Sequence, residues 1–486
     1  MRRAIVALAG ALGLLVLVLV ANTLRFTPRQ VAVEPAPGVA LDPGLPGRLA
    51  AALRFRTVSY QDPARLDAGE VLRLHRYLAD TFPRAHRALA REVVGDLSLL
   101  FTWTGREAGL APVLLLAHLD VVPVDPATER AWTESPFAGT VMGGFVWGRG
   151  AMDDKLGVMG LLEAVELLVG EGFTPRRTVY LAFGHDEEVG GGHGAVALAK
   201  LLAERRVAPE FALDEGLTVT EGIVPGVGRP LALIGIAEKG YLSLDLAVPT
   251  EGGHSSRPPR ETGIGILAAA LHRLETHQAP AAIAGAVEKL VAFAGPETDF
   301  LHRLALANLW LFRPLVLGRL EDMPDTNALV RTTTAPTMLE GSIKENVLPV
   351  RPRAVVNFRI RPGETIASVT EHVRRTIDDP RVTISALTAT RSEPSPESRL
   401  DGPGFAAIER AIRQVFPDAA VAPSLVVGAT DSRHYAALAR DVYRFMPIRL
   451  RPEDARRVHG TDERVAVADY ESAVRFYVRL IRNATE

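Results

Sequence analysis

The segment that most constrains the fold is Thr178 to His193, which reads TVYLAFGHDEEVGGGH. Residues 178–183 are apolar or β-branched without alternation, which is typical of a strand buried on both faces of a sheet. Three successive acids follow at residues 186–188, and glycines at 190–192 allow a tight turn. Adjacent carboxylates repel one another, and a cation relieves that repulsion. The segment predicts a central strand with a cation site at its carboxyl end; a solvated acidic loop is the alternative.

Other apolar strands alternate with helical patterns around this segment. Strands are predicted at 97–103, 113–117 and 211–213, and helices at 71–82, 155–169 and 194–205. This alternation indicates an α/β fold with a mostly parallel central sheet, in which ligands gather at the carboxyl ends of the strands. His118, Asp120 and Glu215 follow predicted strands. We therefore expect them near the three acids of the central segment.

The pattern changes after about residue 231, and 486 residues exceed one ordinary core. Strands at 231–236, 241–248 and 353–361 with a helix at 263–274 predict a smaller inserted α+β unit. After this unit, helices and strands alternate again. The helices are predicted at 365–377, 404–416 and 469–482, and the strands at 382–387 and 421–427. The predicted division is a catalytic domain of residues 48–236 and 362–486, and an inserted domain of residues 237–361.

The segment 300–320 is unusually apolar, with Trp310, Leu311 and Phe312 adjacent. Pro314 is expected to interrupt it, because proline lacks a backbone N–H. A buried core helix is one interpretation. A surface that faces an acyl chain or a membrane is the other.

The N-terminus predicts a membrane segment. Arg2 and Arg3 precede an uncharged run from Ala4 to Ala21, which at about 1.5 Å per residue just spans a hydrocarbon core. We interpret residues 1–26 as an uncleaved signal-anchor, with a cleaved signal peptide as the alternative. Residues 27–47 follow as a proline-rich tether. The body is then expected on the non-cytoplasmic side, membrane-anchored or, after cleavage, secreted or periplasmic.

Charge and cysteine content restrict the function classes. A net charge of −2 gives no electrostatic reason to expect a nucleic-acid partner. The chain has no cysteine, which excludes disulfides, thiolate metal sites and a cysteine nucleophile. Histidine, aspartate and glutamate are the remaining strong metal ligands.

Five loop positions supply such ligands. They are His118, Asp153, Glu188, Glu215 (or its neighbour Asp214) and His459. Two imidazoles and three carboxylates suit two zinc ions, or another divalent transition-metal pair, with one carboxylate bridging. Asp120 lies two residues after the first histidine, where it can accept the other ring N–H.

These segments carry a family resemblance. The strings HLDVVPV at 118–124, GRGAMDDK at 148–155, DEEVGG at 186–191 and LDEG at 213–216 resemble motifs of the dinuclear-zinc aminoacylase/carboxypeptidase family, peptidase family M20. Residues 308–312 and 357–360 are similar to the branch with carboxypeptidase S and the N-fatty-acyl-amino-acid synthase/hydrolases. The resemblance runs from about residue 48 to the end. It implies a zinc-exopeptidase-like catalytic domain with an inserted ferredoxin-like dimerisation or lid domain.

The resemblance also implies roles for the ligands. His118 binds one metal, Asp153 bridges both, and Glu188 completes the first metal's set on one side. Glu215 and His459 complete the remaining positions, with Asp214 still an alternative to Glu215. Glu187 is similar to the general base of the family, and Asp120 to the residue that orients the first histidine.

Further matches concern the substrate. His254 resembles a histidine that reaches the active site of a partner subunit in a homodimer and stabilises the tetrahedral oxyanion. Asn346 and Arg359 match residues that hold the substrate carbonyl and carboxylate. The loop 428–433, with Gly428 and Thr430, resembles the loop that lines the carboxylate.

The predicted function is hydrolysis of a small-molecule substrate at a dinuclear zinc centre. The substrate is an N-acyl amino acid, whose amide the enzyme also forms when conditions favour condensation, or a small peptide cut at its C-terminal bond. One alternative is a carboxypeptidase S-like exopeptidase that acts on peptides only. Another, of a different class, is an inactive membrane-tethered binding module.

Overall fold

The computed structural model describes residues 1–36, 38–387 and 391–486. Its helices are α1 (Arg2–Arg25), α2 (Leu45–Ala52), α3 (Ala68–Thr81), α4 (Pro83–Ala88), α5 (Lys155–Gly170), α6 (Ala195–Glu204), α7 (Gly263–Thr276), α8 (Ala286–Ala294), α9 (Phe300–Ala307), α10 (Leu309–Glu321), α11 (Pro324–Val330), α12 (Ile366–Ile377), α13 (Pro403–Val415), α14 (Pro452–Ala455) and α15 (Val467–Thr485). Its strands are β1 (Ala90–Val94), β2 (Ser98–Trp103), β3 (Val113–His118), β4 (Thr140–Met142), β5 (Phe145–Trp147), β6 (Val179–Gly184), β7 (Phe211–Asp214), β8 (Val219–Thr220), β9 (Leu231–Glu238), β10 (Gly240–Ala247), β11 (Gly253–His254), β12 (Thr333–Glu340), β13 (Val347–Leu348), β14 (Arg353–Ile360), β15 (Thr383–Ala386), β16 (Ala420–Val426), β17 (Val442–Arg444), β18 (Arg449–Leu450) and β19 (Arg464–Ala466).

The large sheet has the order β1-β2-β6-β3-β7-β17-β9-β8-β18, and β16 also pairs with β9. Its centre, β6-β3-β7-β17, is parallel, as the sequence predicts. On its two sides β2 runs antiparallel to β6 and β9 runs antiparallel to β17, so the sheet as a whole is mixed. β3 is buried at every residue, because α5 covers one face and α6 packs on the other through separate apolar clusters. The predicted central strand is β6.

A second, antiparallel sheet has the order β12-β14-β10-β15. With α7 and α12 it encloses its own core, which includes Leu244, Val356 and Val373. The chain passes from the large sheet to this one between β9 and β10. The predicted boundary at residue 361 is too early, because α12 and β15 pack with the small sheet. Conversely, α8 lies in the predicted insertion but packs on β16 of the large sheet.

The described residues between α1 and α2 form no helix or strand, and the first of them are docked on the body. The side chain of Gln30 accepts a hydrogen bond from the backbone N–H of Val421 at 2.7 Å and donates to the carbonyl of the same residue at 3.0 Å. The ring of Phe26 lies so close to Gly295 that a Cβ there would be 2.6 Å from it. Pro37, also in the predicted tether, lies outside the described residues.

The apolar segment 300–320 forms two helices, α9 and α10, that meet at an angle of 117°. The break is at Asn308, and the prediction that Pro314 interrupts the segment is wrong. Pro314 lies inside α10, where its missing N–H removes one helical hydrogen bond without ending the helix. Every described residue of α9 and α10 retains some solvent exposure, which excludes the buried core helix.

Candidate metal centre

Five loops bring the predicted ligands together. His118 ends β3, Glu188 follows β6 and Glu215 follows β7, and these three strands are adjacent and parallel. Their carboxyl ends therefore meet at one edge of the sheet. Asp153 lies in the loop before α5, and His459 lies between α14 and β19. Residues that are distant in sequence thus converge on one site.

Asp153 lies between the two histidines. Its Oδ1 is 3.0 Å from Nε2 of His118, and its Oδ2 is 3.0 Å from Nε2 of His459. Glu215 Oε1 is 3.6 Å from Nε2 of His118, and Glu188 Oε2 is 3.1 Å from Nε2 of His459. The arrangement has two halves that share one carboxylate. Glu188 contacts His459, whereas the family resemblance assigns it to the first metal, with His118. Donor atoms of His118, Asp153 and Glu188 nevertheless all lie within 4.8 Å of one another.

The neighbouring carboxylate Asp214 faces elsewhere. Its Oδ2 accepts a hydrogen bond from the N–H of Ser432 at 2.7 Å, and its Oδ1 accepts from the N–H of Glu215 at 3.0 Å. Asp154 also borders the cluster, and its carboxylate accepts from the N–H groups of His118 and Gly157 at 3.3 and 3.1 Å. Of the two acids in the LDEG string, Glu215 is the one that contacts the cluster.

Asp120 connects the first histidine to the acid loop. Its carboxylate accepts hydrogen bonds from the N–H groups of Glu187 and Glu188 at 3.1 and 3.2 Å, and from the hydroxyl of Ser59. Its Oδ1 lies 3.3 Å from Nδ1 of His118, and its own carbonyl oxygen lies 3.0 Å from that nitrogen. One fully buried side chain thereby fixes the ring and the loop together.

A second positioning pair was absent from the sequence prediction. Glu463 is fully buried, and its Oε1 accepts from the N–H groups of Met152 and Asp153 at 2.8 and 3.2 Å. Its Oε2 accepts from Nη1 of Arg149 at 2.6 Å. Arg149 in turn donates to the carbonyl of His459 at 3.1 Å. The pair holds the loops of Asp153 and His459 in one arrangement.

The cluster carries a large excess of buried acid. Burial raises the pKa of Glu187 and of Glu215 well above its ordinary value, and repulsion from neighbouring carboxylates adds to that effect. Hydrogen bonds to Asp153 and Glu188 raise the pKa of His459 to about 10. Burial alone lowers the pKa of His118, but its carboxylate neighbours raise it well above the usual range. A site of this composition stabilises positive charge.

The donor set fits divalent metal ions. Oε1 of Glu188 is buried and lacks a hydrogen-bond partner among the described residues, so this oxygen has capacity for a cation. Imidazole nitrogens and carboxylate oxygens are ligands that zinc accepts, and one aspartate between two histidines suits a bridging position. The residues present therefore match the requirements of a two-metal centre.

The predicted substrate residues lie in two places. His254 in β11 pairs with β13, and the carbonyl of Asn346 accepts from the N–H of Ser255 at 3.1 Å, so His254 and Asn346 share one exposed ladder. Within the described residues no hydrogen bond or ion pair joins His254 to the metal cluster. Arg359 in β14 is half-buried, and its guanidinium lies 4.7 Å from the ring centre of Tyr241.

The loop 428–433 borders the acid loop. Gly428 is half-buried beside open space. Thr430 is buried, and its N–H and hydroxyl both donate to Glu238 at 3.2 Å, which makes it a support of the loop. Arg433 donates to the carbonyl of Gly190 at 3.0 Å. Burial and the charge of Arg433 both lower the pKa of Arg359.

Comparison with known proteins identifies relatives along most of the chain. The family model described as peptidase family M20/M25/M40 matches residues 114–483. Probable carboxypeptidase S-like 2 from Dictyostelium discoideum is 40% identical over 480 residues, covering 96% of this chain and 92% of that protein. N-fatty-acyl-amino acid synthase/hydrolase PM20D1.1 from Danio rerio is 42% identical over 410 residues, covering 84% of this chain and 79% of that protein. The M20 family metallo-carboxypeptidase Sso-CP2 from Sulfolobus solfataricus shares the fold, with a TM-score of 0.66 and 19% identity over 91% of this chain and 99% of that chain.

Proposed function

The chain belongs to peptidase family M20/M25/M40, and from that premise we propose that its metal centre cleaves the amide between an acyl group and an amino acid with a free carboxylate. The protein is a hydrolase that acts on C–N bonds. The observation that carries the proposal is the position of Asp153, whose two oxygens lie 3.0 Å from the two histidine nitrogens.

Two zinc ions are the proposed cofactors. His118 and Glu215 would hold one, His459 and Glu188 the other, and Asp153 would bridge them. When bound, such a pair supplies Lewis acidity toward water and toward the amide carbonyl. The glycine-rich turn after Glu188 is closed by hydrogen bonds from the N–H groups of Gly190 and Gly191 to the carbonyls of Glu187 and Asp186, at 2.7 and 2.8 Å.

Glu187 is the proposed general base. It is half-buried next to the ligand Glu188, and its backbone is held by Asp120. Its carboxylate can take a proton from the attacking water and transfer it to the leaving amine. Asp120 would keep the loop and the ring of His118 in register during the transfer.

The substrate carboxylate is proposed to bind at Arg359 and Arg433. A guanidinium group is permanently charged and can hold a carboxylate in two places. Gly428, in the same loop as Arg433, is half-buried and borders open space. His254 and Asn346, on their exposed ladder, are proposed to complete the active site of a partner subunit in a homodimer.

N-acyl amino acids with long acyl chains are the proposed substrates, and small peptides are the second candidate. A synthase/hydrolase of N-fatty-acyl amino acids is 42% identical to the chain, and a probable carboxypeptidase S-like protein is 40% identical. Because the same amide chemistry cleaves both candidate substrates, they differ only in the group on the acyl side of the amide bond. The exposed apolar helices α9 and α10 favour the first. Residues 1–26 are proposed to anchor the enzyme in a membrane.

Metal content and substrate preference test this proposal together. The full chain should bind two equivalents of zinc, and Asp153→Ala should bind less than one, while Asp322→Ala at an exposed position retains two. The wild-type chain should turn over N-oleoyl amino acids faster than blocked dipeptides of the same amino acid. Full metal content in Asp153→Ala would exclude the bridging role, and a preference for dipeptides would make the enzyme a peptidase.

A further inference from the structure

The end of α1 is fixed to the bend between α9 and α10. Asn308 is fully buried, and its side-chain N–H₂ donates to the carbonyl oxygens of Leu19 at 3.1 Å and Leu304 at 2.9 Å. Its side-chain oxygen accepts from the amide of Asn22 at 2.9 Å. Thr23 is buried in the same contact. α1 and the bent pair therefore meet through a specific set of hydrogen bonds.

An apolar surface surrounds this junction. Leu309, Val316 and Leu317 turn one side of α10 toward the large core. On the solvent-exposed surface of α10, Trp310 and Leu315 are 62% and 60% exposed. Leu315 lies four residues after Leu311, which places these two side chains on one helical face. The surface also includes Phe300, Leu301 and Leu311, together with Leu24 of α1, and we name these six residues the apolar foot.

The length of α1 sets the depth of the foot. Its 24 residues extend about 36 Å at about 1.5 Å per residue, whereas the hydrocarbon core of a bilayer is about 30 Å thick. When α1 crosses the membrane, its last turn therefore reaches the headgroup layer. Asn308 contacts Asn22 in this turn, so the bend of α9 and α10 lies at the same level.

Other features of α9 and α10 suit this layer. Arg319 in α10 and Arg25 at the end of α1 are exposed, and arginine keeps its charge at the headgroups while its stem covers apolar surface. Tryptophan is enriched at membrane interfaces, where its ring is apolar and its N–H finds a polar partner. The N–H of Trp310 already donates to Asn308 at 3.3 Å.

We propose that the apolar foot is embedded in the boundary between headgroups and acyl chains of the same leaflet that the C-terminal end of α1 enters. The occupant of the surface is the lipid bilayer. α1 would then be one of two membrane contacts, and the catalytic body would rest on the membrane. This inference is independent of which amide the enzyme cleaves.

Trp310 provides the test, because Trp103, Trp132 and Trp147 are only 5%, 8% and 6% exposed. The full chain is produced by cell-free synthesis into phosphatidylcholine vesicles, without signal peptidase, with acyl chains that are unlabelled or brominated near the headgroup. The emission of Trp310 is obtained by subtracting the emission of Trp310→Phe from that of the wild-type chain. We expect at least twofold quenching by the brominated lipid and protection from aqueous acrylamide.

A charged variant and its matched control make the result specific. Leu311→Glu with Leu315→Glu should abolish most of the quenching by brominated lipid, whereas Met338→Glu with Leu339→Glu on β12 should leave it intact. Both pairs are exposed, so folding is retained in each. Trp310 that is quenched by acrylamide and not by lipid would overturn the proposal. Trp310 shielded from both would also overturn it, because a second copy or another part of the chain would then cover the surface.

Discussion

At the scale of single residues, two adjacent carboxylates in the acid loop after β6, Glu187 and Glu188, have different surroundings. Glu188 contacts His459 at 3.1 Å, and its backbone N–H is held by Asp120. Glu187 is held by the same aspartate through its N–H, but its pKa is raised by burial and by the surrounding negative charge. One residue can thus serve as a ligand while its neighbour remains available for proton transfer.

Replacement of Glu187 by glutamine should separate these roles. Because the glutamine side chain keeps the shape but cannot take a proton, the rate of hydrolysis should fall about 10²- to 10⁴-fold with metal content unchanged. Turnover with N-acyl amino acids and metal analysis of the same sample measure both effects. Glu204→Gln, at an exposed position of α6, is the control. Near-normal turnover in Glu187→Gln would remove this residue from catalysis.

Glu463 should act on the metals through the loops that it supports. Glu463→Gln loses the ion pair with Arg149, and its amide N–H₂ cannot accept the backbone hydrogen bonds that a carboxylate oxygen accepts. We expect metal affinity to weaken about 10- to 100-fold, with turnover largely restored at saturating zinc. Competition with a chelator measures the affinity. A loss of turnover that saturating zinc leaves unchanged would contradict a positioning role.

The convergence of the candidate ligands was predictable from sequence for a physical reason that does not extend to the residues that support them. His118, Glu188 and Glu215 each end or follow an apolar strand, so their convergence follows from the parallel sheet. Glu463 and Ser59 occupy no comparable pattern. Their contacts with Asp153 and Asp120 depend on the tertiary path of loops that are distant in sequence.

At the scale of elements, apolar periodicity predicted the interior of the large sheet and missed an edge strand of each sheet. β3, β6 and β7 are short apolar runs, and the structure confirms them. β1 and β12 were missed because they are largely exposed and carry little periodicity. The bend at Asn308 was also missed, because it depends on hydrogen bonds to α1 that are nearly 290 residues away in sequence.

Asn308→Ala should release α1 from the bent pair. Alanine removes the hydrogen bonds to Leu19 and Asn22, so the contact loses its specific geometry. The chain has no cysteine, and spin labels at Leu24→Cys and Lys200→Cys are therefore unique. The distance distribution between the labels should be narrow in the parent and broad in Asn308→Ala. The control Asn483→Ala removes a different amide contact and should leave the distance distribution narrow. If the distribution is unchanged in Asn308→Ala, apolar packing alone fixes α1.

At the scale of the whole molecule, the sequence predicted two units but placed one boundary wrongly. Val369, Val373 and Ile377 form one apolar stripe on α12. Such a stripe predicts a packed helix without specifying the sheet that receives it. The antiparallel pairing of β15 with β10 decides that α12 belongs to the smaller unit. This pairing is a long-range contact that local pattern does not reveal.

A buried histidine should make the folded state sensitive to acid. Burial lowers the pKa of His75 from 6.5 to about 4, and its side chain is 3% exposed. The imidazole of His75 binds a proton near pH 6.5 in the unfolded chain, but only near pH 4 in the folded chain. The free energy of unfolding therefore decreases as the pH falls from about 6.5 to about 4. Between pH 7.5 and 5.0 the loss is about 2 kcal/mol.

Thermal unfolding of metal-free protein at these two pH values measures the effect. The difference in midpoint should be smaller by a few degrees in His75→Phe than in the parent chain. His272→Phe, at an exposed position of α7, should retain the parent difference. If the midpoint of unfolding differs between the two pH values by the same amount in all three chains, His75 is not the source of the acid sensitivity.

Subunit mixing tests whether two chains share active sites. His254 lies on an exposed ladder, and the described residues show no contact between it and the metal cluster of its own chain. If it completes a partner's site, His254→Ala mixed with Glu187→Gln should regain up to about a quarter of wild-type turnover. Each variant alone should remain inactive. No recovery in the mixture would exclude shared sites.

The docking of Phe26 and Gln30 along the body has a consequence for how substrate is encountered. A catalytic unit on a slack linker samples a volume around its attachment point, and its orientation is free. Here the linker is docked on the body over its first residues, so a membrane spanned by α1 would hold the catalytic edge at one height and tilt. Encounter with an amphiphilic substrate in the same leaflet would then take place in two dimensions, at a rate set by its surface density.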